Sequence, residues 1–191
     1  MWKQIIELFS SESVLQEAFD EAIVMLRASH DMFDHAVTQL HADGALETDI
    51  YERDRQLNKY ERSVRRKIIT HMAVRQKPDI NMALVLTAIV IDIERIGDYT
   101  KNIVELASVV PGPFDGLELH DDVLGIERTM LRMFDEIVPA LEGYDEHRAR
   151  GIMESHTLIA SKADKHVLAL CGGEALSGRS GHAATVAIYL R

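Results

Sequence analysis

The sequence predicts an all-α protein built as a tandem pair of three-helix bundles, with a short last helix. Apolar residues recur every three or four positions through most of the 191 residues, and the alternation typical of strands is scarce. The chain contains only 4 prolines, and helix-length segments lie between the Pro- and Gly-rich breaks. Three long segments, a break and three further segments indicate an internal repeat. We therefore expect domains at 12–110 and 116–191.

The first predicted helix carries its apolar residues on one face and ends near "HADGAL", where Gly44 is a plausible C-terminal cap. The spacing of these residues favours a long amphipathic helix that buries one face. The face consists of Val14, Leu15, Ala18, Ala22, Met25, Leu26, Phe33, Val37 and Leu40.

The second helix is predicted from about Thr48 to Val74, and the third from about Ile80 to Val110. Pro78 ends the second helix because proline cannot continue one, and Asp79 is placed to cap the third. The third helix is the most apolar and stops at "PGPFDG". The buried face predicted for the second helix consists of Ile50, Leu57, Val64 and Ile68.

The helical pattern then restarts. A fourth helix contains Pro139 near its end, and a fifth covers about Asp145 to Leu170. "CGGEALSGRSG" has the composition of a flexible loop, and Ser180 could cap a sixth helix reaching Arg191. The face of the fourth helix consists of Val123, Ile126, Met130, Phe134, Ile137 and Leu141.

Composition narrows the function classes. The formal net charge of −10 argues against nucleic acid as a partner, because phosphates require a basic surface. The single cysteine, Cys171, excludes an intramolecular disulfide, which fits a reducing cytoplasm. The start of the chain lacks a signal-peptide layout, and no window has the apolar length of a membrane span. We therefore expect any membrane contact to be peripheral.

Acidic residues on the third helix raise a question about function. Glu94 and Asp98 lie one turn apart, so their carboxylates can converge on one point. Gly97 between them costs about 1 kcal/mol relative to alanine in a helix interior. We expect the missing side chain at Gly97 to let a neighbouring helix approach closely.

The second helix has a matching polar stripe of Asp54, Asn58 and Glu61, next to its apolar face. If the second and third helices are antiparallel neighbours, the two stripes meet along a seam. Carboxylate and amide oxygens are hard ligands of the kind that hold magnesium, manganese or iron.

Ion pairing is the alternative for these acids. Glu61 precedes Arg65 by four residues, the favourable order for a surface ion pair on a helix. Arg62, Arg66 and Arg95 could neutralise the other acids. Spacing alone leaves both alternatives open, because charges on a helix face are usually solvated.

Two segments resemble the PhoU family of phosphate-transport accessory proteins. "DIERIGDYTKNIVELA" is similar to the family signature with its ERIGD core, and "RDRQLNKYE" is similar to its upstream Asp-x-x-x-Asn-x-x-Glu element. The order and lengths of all six predicted helices agree with the family as well, so the resemblance extends over nearly the whole chain.

The resemblance implies a cytoplasmic regulator of phosphate uptake and phosphate-starvation signalling, located at the inner face of the membrane. Its implied partners are a second copy of the chain, the transporter's ATPase subunit or a sensor histidine kinase. It also implies metal binding, by iron or zinc in some members, with manganese and magnesium as further candidates from the ligand chemistry. The residues it assigns to the first-half metal site are Asp54, Asn58, Glu61, Glu94 and Asp98.

The second half departs from the family pattern. "HTLIASKAD" places His156, Ala160 and Asp164 opposite the first-half triplet, so His156 and Asp164 form a weaker candidate site. An offset of about 102 residues in our own alignment would put the second ERIGD-like motif beyond Arg191. We therefore expect an incomplete second repeat, either natural or through truncation of a longer protein.

Other functions compete with this interpretation. The chain contains no nucleophile–base constellation, so we do not expect an enzyme. A di-metal carboxylate enzyme would need Glu-x-x-His motifs facing a bundle core, and the second and third helices lack them. The remaining alternatives are an accessory domain of another phosphate or ion transporter and an interaction domain without metal.

Overall fold

The computed structural model describes residues 11–41, 50–109, 119–172 and 180–190. These residues form six helices and no strand, which confirms the predicted all-α class. The helices are α1 (Ser11–Leu40), α2 (Ile50–Val74), α3 (Ile80–Val109), α4 (His120–Glu142), α5 (Glu146–Cys171) and α6 (Ser180–Leu190).

The described residues divide into two compact units. The first comprises 11–32 and 50–100, and the second comprises 33–41, 101–109, 119–172 and 180–190. The last turns of α1 and α3 thus belong to the second unit by their contacts. This division differs from the consecutive domains 12–110 and 116–191, which stay a prediction.

The first unit is organised by the apolar face of α2. All four residues predicted for this face are buried, at 6% exposure or less, which confirms the period expected from the sequence. Full burial of each such side chain contributes about 1.5–3 kcal/mol. Polar contacts fix α2 on α1: the Ser63 hydroxyl donates to Glu21 at 2.7 Å, and Lys67 Nζ lies 3.2 Å from the same carboxylate.

The turn between α2 and α3 is held by polar contacts. The Asp79 N–H donates to Nε2 of the buried His71 at 3.1 Å. Asp79 Oδ1 in turn accepts from the Met82 N–H at 3.0 Å, which confirms Asp79 as the predicted cap of α3.

The second unit contains the packed helix pairs α4–α5 and α5–α6. Asp122 links α4 to α5, since it lies 2.5 Å from Lys162 Nζ and 2.8 Å from His166 Nε2. The hydrogen bond from Lys162 holds the pKa of Asp122 below its ordinary value. A core cluster brings together α1, α4, α5 and α6 through Leu40, Leu119, Val123, Leu170 and Val186.

The corner between α4 and α5 is a Schellman motif with an unusual residue. The Asp145 N–H donates to Ala140 O at 3.0 Å, and Tyr144, with φ 51°, occupies the left-handed position that glycine usually takes. Asp145 also caps α5 by accepting from the Arg148 N–H at 3.0 Å. Helix α5 can therefore start immediately after α4 ends.

Several sequence predictions fall outside the described residues. They are the Gly44 cap, the "PGPFDG" break, and most of the loop after Cys171. Where the chain is described, none of its helices has the length and apolar character needed to cross a membrane.

Candidate functional site

A close helix contact lies at the centre of the candidate site. A Cβ built on Gly97 of α3 would stand 2.4 Å from Leu57 Cδ1 of α2, closer than real Cβ atoms approach. Leu57 is 1% exposed, so it has little room to withdraw. The contact confirms that Gly97 lets a neighbouring helix approach closely and shows that this helix is α2.

The predicted acidic residues lie on the two helices that meet there. Asn58 follows Leu57 on α2, and Asp98 follows Gly97 on α3. All five predicted side chains are half-buried rather than fully solvated. Their α2 members are Asp54, Asn58 and Glu61, and their α3 members are Glu94 and Asp98.

The described contacts of the α2 stripe are local. Asn58 Nδ2 donates to Asp54 O at 3.0 Å and to Asp54 Oδ2 at 3.4 Å. Arg65 Nη1 donates to Glu61 Oε1 at 2.7 Å, which confirms the ion pair that the sequence offered as the alternative for Glu61. Such an i,i+4 pair contributes about 0.3–0.5 kcal/mol.

The oxygen atoms of these five residues are chemically suitable ligands for a hard cation. Their side chains are not arranged as a metal site in the structure. Oxygen ligands are suitable for magnesium, manganese or iron. Within 11–41, 50–109, 119–172 and 180–190, however, no three His, Cys, Asp or Glu side chains are grouped so that they could hold a metal. The first-half metal site therefore stays a prediction about these five residues.

The weaker second-half pair is spread along one exposed helix surface. His156 and Asp164 are both exposed on α5, eight residues apart, which corresponds to about 12 Å of helical rise. The helix alone therefore does not bring the two side chains together, and this site also stays a prediction.

The sequence interpretation missed a buried polar cluster in the second unit. Glu127 of α4 is 4% exposed, and both of its carboxylate oxygens lie 3.0 Å from His41 Nε2. Tyr189 of α6 donates its hydroxyl proton to Glu127 Oε1 at 2.5 Å. The available signal was an acid among the apolar residues of α4, one turn after Val123.

The cluster ties α6 to His41, the residue that follows α1. His41 and Tyr189 lie 86 and 62 residues from Glu127 along the chain. The pKa of the Tyr189 hydroxyl is strongly raised, first by burial and then by the adjacent Glu127 carboxylate. At neutral pH the Tyr189 hydroxyl therefore stays protonated and acts as a donor.

Comparison with known proteins gives one match. Residues 16–107 match the family model of the PhoU domain. No curated protein and no solved structure shows significant similarity to the chain. The matched region contains the Leu57–Gly97 contact and all five first-half candidate residues.

We expect Gly97→Ala to lower the free energy of unfolding by about 1 kcal/mol, the middle of the net range left by two opposing effects. Overpacking against Leu57 costs about 1–3 kcal/mol, whereas the gain in helix propensity is only about 1 kcal/mol. Gly151→Ala is the matched control, because Gly151 lies inside α5 with no atom within 4 Å of an added Cβ. It should raise stability by about 1 kcal/mol in the same urea titration. Equal stabilisation by both substitutions would contradict the close contact.

We expect Tyr189→Phe to destabilise the protein by roughly 1–2 kcal/mol at neutral pH, because Glu127 loses a buried donor. The raised pKa of Tyr189 adds a pH dependence. The unfolded chain loses the phenolic proton near its ordinary pKa of 10.0, whereas the folded chain keeps it. The stabilisation is therefore complete below that pH and is lost as pH rises above it.

Urea unfolding of parent and variant between neutral and alkaline pH measures this effect. The difference in free energy of unfolding between the parent and Tyr189→Phe should shrink above the ordinary tyrosine pKa of 10.0. Tyr144→Phe is the control, since Tyr144 is 82% exposed. A difference that stays constant with pH would show that Tyr189 does not make this contact in solution.

Proposed function

We propose that the chain, whose residues 16–107 match the PhoU domain family, regulates phosphate transport and phosphate-starvation signalling. It acts by binding partner proteins rather than by catalysing a reaction. The family match carries this proposal. The helix contact at Gly97 and Leu57 supports it, since it places the acidic stretches of α2 and α3 on adjoining helices inside the matched region.

The same proposal includes a metal ion at the seam between α2 and α3. The residues that would hold it are Asp54, Asn58, Glu61, Glu94 and Asp98, with iron, zinc, manganese or magnesium as the ion. When bound, such an ion supplies positive charge between carboxylates that otherwise repel one another.

The chain's own residues set the conditions for this site. The Leu57–Gly97 contact limits how far apart the two acidic stretches can lie. Glu61 would exchange its bond to Arg65 for the ion, and Asn58 would turn its amide away from Asp54. The cost of the first change is small, because half of the Arg65 side chain is exposed and the pair is screened by solvent.

The proposed partners are a second copy of the chain and a protein of the phosphate-signalling machinery. The transporter's ATPase subunit and a sensor histidine kinase are the two candidates of the second kind. An accessory domain of another phosphate or ion transporter is the alternative function, and it would share the fold and the seam. An interaction domain without metal is favoured by one observation, the Glu61–Arg65 ion pair.

Deleting the gene in its native host should activate a phosphate-starvation reporter at high external phosphate, because a restraint on signalling has been removed. Restoring the parent gene should silence the reporter again. Chemical crosslinking in the restored strain should recover the ATPase subunit or the sensor kinase. An unchanged reporter together with unchanged phosphate uptake after deletion would contradict the proposed function.

We expect the purified protein to contain near-stoichiometric metal that the variant Glu94→Ala/Asp98→Ala loses. Plasma mass spectrometry of both proteins measures this directly. The control variant Asp92→Ala/Glu105→Ala removes two exposed acids from the same helix and should keep the metal. Equal trace metal in all three proteins, with no thermal stabilisation by added manganese or magnesium, would show that these acids do not bind metal.

A further inference from the structure

The second half of α2 and the turn that follows it are basic in a chain that is acidic overall. Residues 62–78 contain six Lys and Arg residues and no Asp or Glu, although the chain carries a net charge of −10. Arg65 and Lys67 have ion pairs with Glu61, Glu17 and Glu21. Arg62, Arg66 and Lys77 are exposed, and no ion pair of theirs is found among the described residues. Positive charge is therefore concentrated at one end of the first unit.

Large apolar side chains are exposed at the same end. On α2, Ile69 is 67% exposed, and Met72 and Val74 are exposed as well. At about 100° per residue, Ile69 lies on the same helix face as Arg62 and Arg66. The outer surface of this part of α2 is thus both apolar and positively charged.

The beginning of α3 continues the exposed apolar surface. Leu84 is 64% exposed, and Ile80, Val85 and Ile91 are also exposed. Ile80, Leu84 and Ile91 fall within an arc of about 40° on the helix wheel. No charged residue occurs in α3 before Asp92. We call the surface formed by Arg62–Lys77 and Ile80–Ile91 the basic–apolar tip.

Exposed apolar side chains are concentrated at the tip rather than scattered singly over the described residues. Seven of the fifteen large apolar side chains that are exposed among the described residues lie within residues 69–91, and such a concentration is typical of an interaction site. The core of the first unit does not use this surface, because α2 and α3 bury the opposite faces through Leu57, Val64, Leu86 and Val90.

We propose that the basic–apolar tip docks on an anionic lipid surface. Apolar side chains beside Lys and Arg are what an interfacial helix needs, since the apolar part enters the headgroup region while the cations meet lipid phosphates. The acids beside this surface, Glu17, Glu21 and Glu61, are paired with Lys67 and Arg65. Asp79 Oδ1 is occupied as the cap of α3. The remaining negative charge of the chain would orient the protein so that this end faces the lipid.

The shape of the tip favours a lipid surface over a protein helix. A partner helix normally lies in an apolar groove. Ile69 and Leu84 instead project from the outer faces of two helices, each with about two-thirds of its surface exposed. Projecting side chains suit a flat, deformable surface that they can enter.

This inference goes beyond the proposed function and does not need the metal seam. Co-sedimentation of the full chain with vesicles tests it. The vesicles are phosphatidylcholine alone or an equimolar mixture of phosphatidylcholine and phosphatidylglycerol. The parent should bind only the mixed vesicles, and added salt should weaken binding because it screens the lysines and arginines.

Two variants locate the binding surface. Arg62→Gln/Arg66→Gln/Lys77→Gln removes charge, and Ile69→Ser/Leu84→Ser removes apolar contact. Each should weaken partitioning roughly tenfold or more, since every cation and every buried apolar group contributes. Neither variant touches a buried residue, so both should fold, and circular dichroism verifies that.

Matched controls come from the second unit. Leu158→Ser/Leu168→Ser replaces two leucines that are each 72% exposed on α5. Arg128→Gln/Arg150→Gln/Lys165→Gln removes three exposed cations elsewhere. Both controls should bind like the parent.

The outcomes separate the two proposals. Lack of binding to mixed vesicles, or equal losses in tip and control variants, would overturn the docking surface. So would tip variants that bind vesicles normally but lose a crosslinked protein partner in cells. A reporter that responds to gene deletion while vesicle binding fails would leave the regulatory function standing and remove only the tip. Vesicle binding together with a reporter that does not respond to gene deletion would support the docking surface and contradict the regulatory function.

Discussion

The packing of Leu57 against Gly97 is the contact on which the first unit depends. A glycine in the interior of α3 costs about 1 kcal/mol relative to alanine, and the fold offsets this cost by bringing α2 within van der Waals reach. Since Leu57 lies between Ile50 and Val64 on the buried face of α2, the same contact sets the depth at which α2 enters the core. The positions of the acidic side chains beside it follow from that depth.

Charge is distributed unevenly along α2, and the two ends of the helix suit different ligands. Asp54 and Glu61 lie in its first half, beside the contact with α3, whereas the second half contains only basic charge from Arg62 onward. A cation site and a docking surface for anionic lipid could therefore occupy one helix pair without competing for the same side chains. Arg65 is the exception, because its bond to Glu61 joins the two regions.

Much of the fold could be predicted from the sequence because apolar periodicity is a local property. The buried face of α2 and the Asp79 cap follow from residues within a few turns of each other. The Glu127 cluster could not be predicted in this way, since an acid on a helix is ordinarily solvated and its partners, His41 and Tyr189, are far away in sequence. The division into units could not be predicted either. Periodicity shows which face of α1 or α3 is buried but not which other helices cover that face.

Sequence-based prediction is limited in the same way at the candidate site, where the positions of single side chains matter. Spacing on α2 predicted two uses of Glu61, a metal ligand and a partner of Arg65, and both follow from the same placement on one helix face. A pair of this kind, in which half of the Arg65 side chain is exposed, contributes only about 0.3–0.5 kcal/mol. Its loss would therefore be a small cost for binding a divalent ion through several oxygens. The identity of the ligand is decided across the helix pair, where Glu94 and Asp98 of α3 either converge with the α2 stripe or remain apart. Helical period places these acids on adjoining helices, but side-chain rotamers determine whether they converge, and the sequence does not specify rotamers.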